Sequence, residues 1–294
     1  MKSDRREFIK IFGLGSAGMM AFPMGMSAAE MQENDIIRNE ESAVKFTRKK
    51  MQADVLVAGG GLAGVCAAIA AARNGASVIL VQDRSRLGGN ASSEIRMHVL
   101  GANNPGKLRL WRETGIIEEL KLTEAATNLQ RSFHMLDLIL YDKVISEENI
   151  TLLLDTAVID ATVQNDQITS ARAVSLLLEE YYEIDADFYI DCTGDATLAA
   201  VSGAKYMRGR EGQDVYGESL APAESDEKTM GNSLLFFSKK HDRPMTFTPP
   251  EWAHKFTKED FKHRPIRSWE YGYWWIEWGG ELDTIKDNRE IRRE

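Results

Sequence analysis

The chain has 294 residues, 43% of them hydrophobic and 28% charged, with 36 Lys plus Arg against 45 Asp plus Glu and a formal net charge of -9. That is enough apolar side chain for one large folded domain or two modest ones, and an acidic balance without a long basic run argues against nucleic acid as a partner. Two distant cysteines, Cys66 and Cys192, and five scattered histidines exclude a disulfide framework and a zinc ribbon. After residue 30 no stretch approaches the ~18 uninterrupted apolar residues of a membrane-spanning helix.

The first segment reads as an address. Ser3-Asp4-Arg5-Arg6-Glu7-Phe8-Ile9-Lys10 resembles the twin-arginine export signal, and Ile11 to Ala29 follows without a charge. Its glycines and Pro23 make it only mildly apolar, and Met26-Ser27-Ala28-Ala29 offers small residues for cleavage after Ala28 or Ala29. An uncleaved N-terminal anchor is the alternative. The resemblance implies the twin-arginine translocase as a partner, a periplasmic or extracellular destination, and no stable membrane insertion after cleavage. That pathway carries folded proteins, commonly loaded with a cofactor. Residues 1–29 are therefore expected to be a signal peptide and residues 30–52 a linker.

Gly13-Leu14-Gly15-Ser16-Ala17-Gly18 fits G-x-G-x-x-G letter by letter, but no β-strand precedes it, so the match is accidental. The second match has the required context. Ala53-Asp54-Val55-Leu56-Val57-Ala58 is β-prone, Gly59-Gly60-Gly61-Leu62-Ala63-Gly64 follows, and Val65 to Arg73 is a strong helix former that stops at Asn74-Gly75. Ala76 to Val81 then predicts a second parallel strand, completing a βαβ unit. In such a unit Gly59 permits the tight turn, Gly61 lets the backbone approach a pyrophosphate, and Gly64 lets the helix pack on the strand, with Leu62 and Ala63 in the same loop. The phosphates belong at the positive end of the helix. The acidic residue that usually holds the ribose hydroxyls at the end of the second strand is replaced by Gln82, with Asp83 as the alternative contact.

The next residues separate FAD from NAD. Arg84-Ser85-Arg86-Leu87-Gly88-Gly89-Asn90 resembles the R-x-x-x-G-G element of the glutathione-reductase-like FAD superfamily, in which the glycine pair approaches the phosphates and ribityl chain. Phe188 to Asp195 resembles that superfamily's apolar strand ending in a T-G-D turn, here Thr193-Gly194-Asp195, which passes near the pyrophosphate. The stretches Leu87 to Arg96 and Asp191 to Ala200 are similar to those of an FAD-dependent oxidoreductase family, over roughly residues 53–285. The resemblance implies FAD as cofactor and an α/β fold: a Rossmann-like FAD-binding domain with an inserted β-meander over residues 53–205, then part of a mixed-sheet substrate domain over 206–294.

Asn128 to Glu147 has apolar residues at helical spacing and predicts a helix leading into the meander. The meander is expected from the β-prone runs 150–154, 156–163, 168–176 and 180–184. In the superfamily the backbone near Val158 meets the adenine; ordinary strand packing is the other reading. Farther on, Asn232 to Phe237 predicts a strand, and Trp269 to Trp278 holds four of the six tryptophans. That run is either a strand of a substrate-binding sheet or an apolar platform for a sugar ring beside Glu270 or Glu277, readings that are compatible. The superfamily's C-terminal glycine-aspartate turn, which closes the flavin site, has no counterpart here, so the chain is expected to be truncated at its C-terminus.

The implied chemistry is hydride transfer from a C–H bond of a small polar substrate, such as a sugar or an alcohol, to flavin N5. His98 is a candidate base, with a structural role or a hydrogen bond to the flavin as the alternatives. Arg96 is a candidate to stabilise the anionic reduced flavin, with Asn90 and Ser92 as nearby donors. No metal site is expected. The rival readings are an inactive nucleotide-binding fragment and a carbohydrate-binding protein that uses the tryptophan cluster.

Overall fold

The computed structural model describes residues 46–99, 113–237, 241–257, 259–260, 273–278 and 281–293. The expected signal peptide, most of the expected linker, and Trp269 to Gly272 of the tryptophan cluster lie outside the described residues.

Six strands form one mixed sheet. In chain order they are β1 (Thr47–Ala58), β2 (Val78–Val81), β3 (Ile150–Leu153), β4 (Ala157–Gln164), β5 (Gln167–Ser175) and β6 (Glu180–Asp191). Their spatial order is β3-β2-β1-β6-β5-β4. The pairs β1·β2, β2·β3 and β1·β6 are parallel, while β4·β5 and β5·β6 are antiparallel. Helix α1 (Leu62–Arg73) links β1 to β2 and ends at Asn74, after which Gly75 takes the expected left-handed conformation at φ +91°. Helices α2 (Gly115–Thr127) and α3 (Phe133–Ile145) link β2 to β3.

The parallel strands are apolar on both faces because both are covered. Val55, Val57, Val78 and Leu80 pack with Val65, Ala68 and Ile69 of α1 and Leu136, Leu140 and Val144 of α3. On the other face Leu56, Ala58, Ile79 and Val81 pack with Ala171, Ala173, Tyr182 and Ile184 of the meander. Each fully buried aliphatic side chain stabilises this arrangement by roughly 1.5–3 kcal/mol. Leu56, Val57 and Leu80 have no exposed surface at all.

Three expectations shift. The stretch expected as linker reaches only to residue 46, because β1 begins at Thr47 and pairs in parallel with the start of β6. Its exposed half is held by charge rather than burial: Lys49 pairs with Glu180 at 2.5 Å, Lys50 with Glu183 at 3.3 Å, and the Arg48 guanidinium lies 5.5 Å from the centre of the Tyr181 ring. The run 150–154, expected in the meander, supplies β3, which joins the parallel sheet beside β2. The helix expected from Asn128 starts at Phe133, because buried Asn128 folds the preceding turn, donating from Nδ2 to the Ser132 carbonyl and accepting at Oδ1 from the Ser132 N–H.

Beyond β6 come two short helices, α4 (Thr197–Val201) and α5 (Gln213–Tyr216). The predicted strand Asn232–Phe237 is β7, and it pairs antiparallel with β8 (Tyr273–Trp278), the described part of the tryptophan run. Helix α6 (Asn288–Arg293) follows and buries Ile291. Among the described residues no helix is long and apolar enough to cross a membrane.

Candidate functional site

A cavity of about 800 Å³ opens where three loops leave the parallel strands: the glycine turn after β1, the segment Gln82 to Val99 after β2, and the Cys192 to Thr197 turn after β6. The start of β4 closes another side with Thr156, Ala157 and Val158. Loops at the carboxyl ends of parallel strands are where open α/β sheets bind ligands, and the volume is in the range of small-molecule and cofactor sites.

The glycines make the loops fit each other. Gly59 has φ +99°, and a Cβ there would lie 2.2 Å from the Cys192 carbonyl oxygen, so β1 and β6 can leave the sheet side by side only without it. A Cβ on Gly64 would lie 1.8 Å from the Gly59 carbonyl oxygen, which is the close packing of helix on strand that the motif demands. Gly61 differs. It begins α1 with φ -63° and ψ 178°, and a Cβ there would meet nothing within 4 Å. Its bare side faces the cavity, so its freedom from a side chain serves a ligand rather than the fold.

The second glycine element is laced to the first. The Gly88 N–H donates to the Gly60 carbonyl at 2.8 Å, and Gly88 lies in the left-handed region at φ +105°. Leu87 beneath it is buried. From α3, Asp137 accepts the Ser93 N–H at 2.9 Å and forms an ion pair with Arg86 at 3.2 Å, which fixes the far end of the loop.

The structure sorts the predicted residues into two groups. Gly59, Gly61, Leu62, Ala63, Gln82, Asp83, Arg84, Gly88, Gly89, Asn90, His98, Val158, Thr193, Gly194 and Asp195 all line the cavity. Gly64, Ser92 and Arg96 lie outside its lining. Ser92 is buried and its Oγ accepts the Glu94 N–H, while the Arg96 Nε donates to the Ser93 carbonyl at 2.9 Å. Arg96, at a left-handed φ of +61°, thus braces its own loop through Nε. His98 sits on the wall at 5.7 Å from the Phe133 ring, in the company of Ile95, Met97 and Val99.

Gln82 has a larger structural task than the expected ribose contact. It is buried, its Oε1 accepts the Gly60 N–H at 2.7 Å, and its Nε2 donates to the Arg86 carbonyl at 3.1 Å. One amide thus ties both glycine loops together, a task that needs an acceptor and a donor at once. Each end keeps one further hydrogen-bonding position. Asp83, exposed beside it, is the carboxylate available at the same end of the cavity.

Asp191, at the end of β6, was not singled out by sequence. Burial opposes its ionisation, but the Ala199 and Thr193 amides and the Thr193 hydroxyl outweigh that and hold its carboxyl below the usual carboxylate range. The two cysteines do not pair: Cys66 and Cys192 are free, and burial pushes both thiols up, further from the reactive thiolate. Among the described residues no group of three His, Cys, Asp or Glu could hold a metal ion.

Residues 54–290 match the FAD dependent oxidoreductase family. No curated protein matches the sequence. Solved structures with partial likeness include L-proline dehydrogenase from P. horikoshii, at 17% identity over 50% of this chain and 23% of that one, with a TM-score of 0.31. The myxobacterial chondrochloren halogenase CndH, a variant of the FAD-dependent halogenases, has 17% identity over 55% of this chain and 41% of that one, at 0.38. THI4 of Thermovibrio ammonificans has 16% identity over 59% of this chain and 76% of that one, at 0.39. The chain thus spans less than half the length of the dehydrogenase and the halogenase. With the family matched over most of its length and a cavity onto which Gly61 opens with no side chain in the way, the chain belongs to the FAD dependent oxidoreductase family, and FAD is its cofactor.

Proposed function

We propose that this protein oxidises a C–H bond of a small polar substrate, a sugar or an alcohol, with the flavin held in the cavity above the parallel strands. The observation that carries the flavin's place in this reading is the open side of Gly61 at the meeting point of three loops. When bound, FAD supplies acceptance of a hydride at N5, chemistry that no side chain offers.

The chain's own residues bind and orient the reactants. Gly61, Gly89 and the Gly194 turn, which line the cavity, would bring main chain to the phosphates, and Asp83 together with the spare positions of Gln82 would meet the ribose. Ile95, Met97 and Val99 give the cavity an apolar wall beside His98. His98, on that wall, takes the proton from the substrate oxygen through its imidazole.

The decisive experiment is the visible spectrum of the purified chain after incubation with FAD and desalting. Retained bands near ~370 and ~450 nm, bleached anaerobically by one member of a sugar and alcohol panel, would support the reading. A bound flavin that no polar alcohol reduces would overturn the substrate class. A chain that retains no flavin would overturn the site.

Residues 1–29 complete the proposal as a twin-arginine export signal, supported by Arg5-Arg6 and the uncharged run after Lys10. Replacing Arg5 and Arg6 by Lys should hold the protein in the cytoplasm. Export that persists in that variant would refute the assignment.

A further inference from the structure

The Thr193-Gly194-Asp195 turn lines the cavity, but a residue behind it sets its shape. Asp191 does not line the cavity. Its Oδ1 accepts the Thr193 N–H at 2.9 Å and the Thr193 hydroxyl at 2.7 Å, and its Oδ2 accepts the Ala199 N–H at 2.8 Å. The Thr193 Oγ1 in turn accepts the Thr197 N–H at 2.8 Å. One carboxylate therefore closes the loop from both ends.

Between those ends the backbone is held in an unusual shape. Gly194 has φ +88° and Ala196 has φ +55°, a left-handed conformation that an L-residue keeps only when its surroundings impose it. Among the described residues no acceptor meets the Gly194 or Asp195 N–H. Successive free amides in a loop of alternating hand form a concave cradle for an anion. The Thr193 N–H and hydroxyl proton, by contrast, both go to Asp191, so Thr193 builds the turn rather than gripping a ligand.

We propose that Asp191 is a positioning residue for the cofactor: from behind the cavity its carboxylate holds the Thr193–Asp195 turn so that the Gly194 and Asp195 amides meet the FAD pyrophosphate. The assignment rests on the FAD reading above. A carboxylate facing the phosphates would repel them; set behind the turn, its charge is taken up by amides and a hydroxyl, and the phosphates meet N–H groups instead.

The test uses the full chain and FAD itself, with flavin fluorescence titration for affinity, the bound-flavin visible spectrum, and urea unfolding of the cofactor-free protein. In Asp191→Asn one side-chain oxygen becomes an amide group that cannot accept the Ala199 N–H. Its FAD dissociation constant should rise on the order of 10–100-fold, while the urea midpoint falls only modestly, by the hydrogen bonds the cofactor-free protein itself loses, and the variant stays folded under the titration conditions. Thr193→Val, which removes the hydroxyl at constant shape, should weaken FAD in the same sense, and Thr193→Ser should restore it. If Asp191→Asn does not fold, the Thr193 pair decides. Affinity unchanged in both Asp191→Asn and Thr193→Val, or lost only in proportion to unfolding, would overturn the inference. A wild-type chain that binds no FAD would overturn the underlying reading instead.

Discussion

Replacing Gly61 by Ala separates what the fold needs from what the ligand needs. The backbone at Gly61, φ -63° and ψ 178°, is open to alanine, and the added methyl would meet no protein atom within 4 Å. Two small effects on stability oppose each other: alanine restricts the unfolded chain, worth about 0.4–1 kcal/mol, and is a poorer first residue for a helix by about the same amount. The melting temperature should therefore stay within roughly 2 °C of wild type. Binding should respond quite differently, because the methyl occupies the space through which the backbone reaches the pyrophosphate. Loss of one charge-assisted hydrogen bond at about 1.5–3 kcal/mol corresponds to a rise of roughly 10–100-fold in the FAD dissociation constant. Differential scanning fluorimetry of the cofactor-free protein and calorimetric titration with FAD read the two quantities separately. A Gly61→Ala protein that binds FAD as tightly as wild type would refute the placement of the phosphates, and one that melts many degrees lower would refute the geometry of the turn.

Gly64→Ala should behave in the opposite way, since its methyl would lie 1.8 Å from the Gly59 carbonyl oxygen. Forcing helix and strand apart should cost about 1–3 kcal/mol or more, lowering the melting temperature by several degrees and abolishing flavin retention together. Gln82→Glu places a buried carboxylate against the Arg86 carbonyl, which now accepts from Nε2 at 3.1 Å. Urea unfolding at pH 7 should show a loss of about 1–3 kcal/mol, recovered in part at acid pH where the new carboxyl is protonated. Hydrogen bonds from Arg73 and Lys143 hold the Glu119 carboxyl down to about 2. That contribution to stability is fully present above the ordinary carboxylate value of 4.5 and is lost as pH falls toward 2, so the melting difference between wild type and Glu119→Gln should vanish over that window.

What could be read from sequence was what depends on backbone approaching backbone. Gly59, Gly64 and Gly88 stand where a Cβ would strike another chain segment, and this steric demand leaves a mark in the residues themselves. The apolar runs of β1 and β2 were equally plain, because strands covered on both faces need uninterrupted Val, Leu and Ile. The start of β1 was not, since Thr47-Arg48-Lys49-Lys50 looks like a solvated connection until β6 places Glu180 and Glu183 beside its lysines. Helix α2 went unanticipated for a similar reason, with only Leu120 fully buried along it. At the site, the left-handed backbone of Arg96 and its Nε bond to the Ser93 carbonyl could not be read from the sequence, because they depend on how the loop folds back on itself. The loop-tying bonds of Gln82 and the role of Asp191 were missed because their partners, Gly60, Arg86 and Ala199, are backbone groups that any residue would supply.

The pairing of β1 with β6 sets the order in which this protein can be assembled. Thr47–Ala58 and Glu180–Asp191 run in parallel along their whole lengths, yet more than a hundred residues separate them in the chain. A contact of such long range is slow to form, because the entropy of closing the intervening loop is lost before any ladder hydrogen bond is gained. During synthesis the glycine turn is made early, but the Cys192 carbonyl and the Thr193 turn that complete the cavity emerge from the ribosome much later. Until then the apolar strand β1 lacks its neighbour and is a template for wrong pairing. A ligand that bridges the turns after β1 and β6 would clamp this slowest contact, so the refolding yield of the chain should rise when FAD is present from the start.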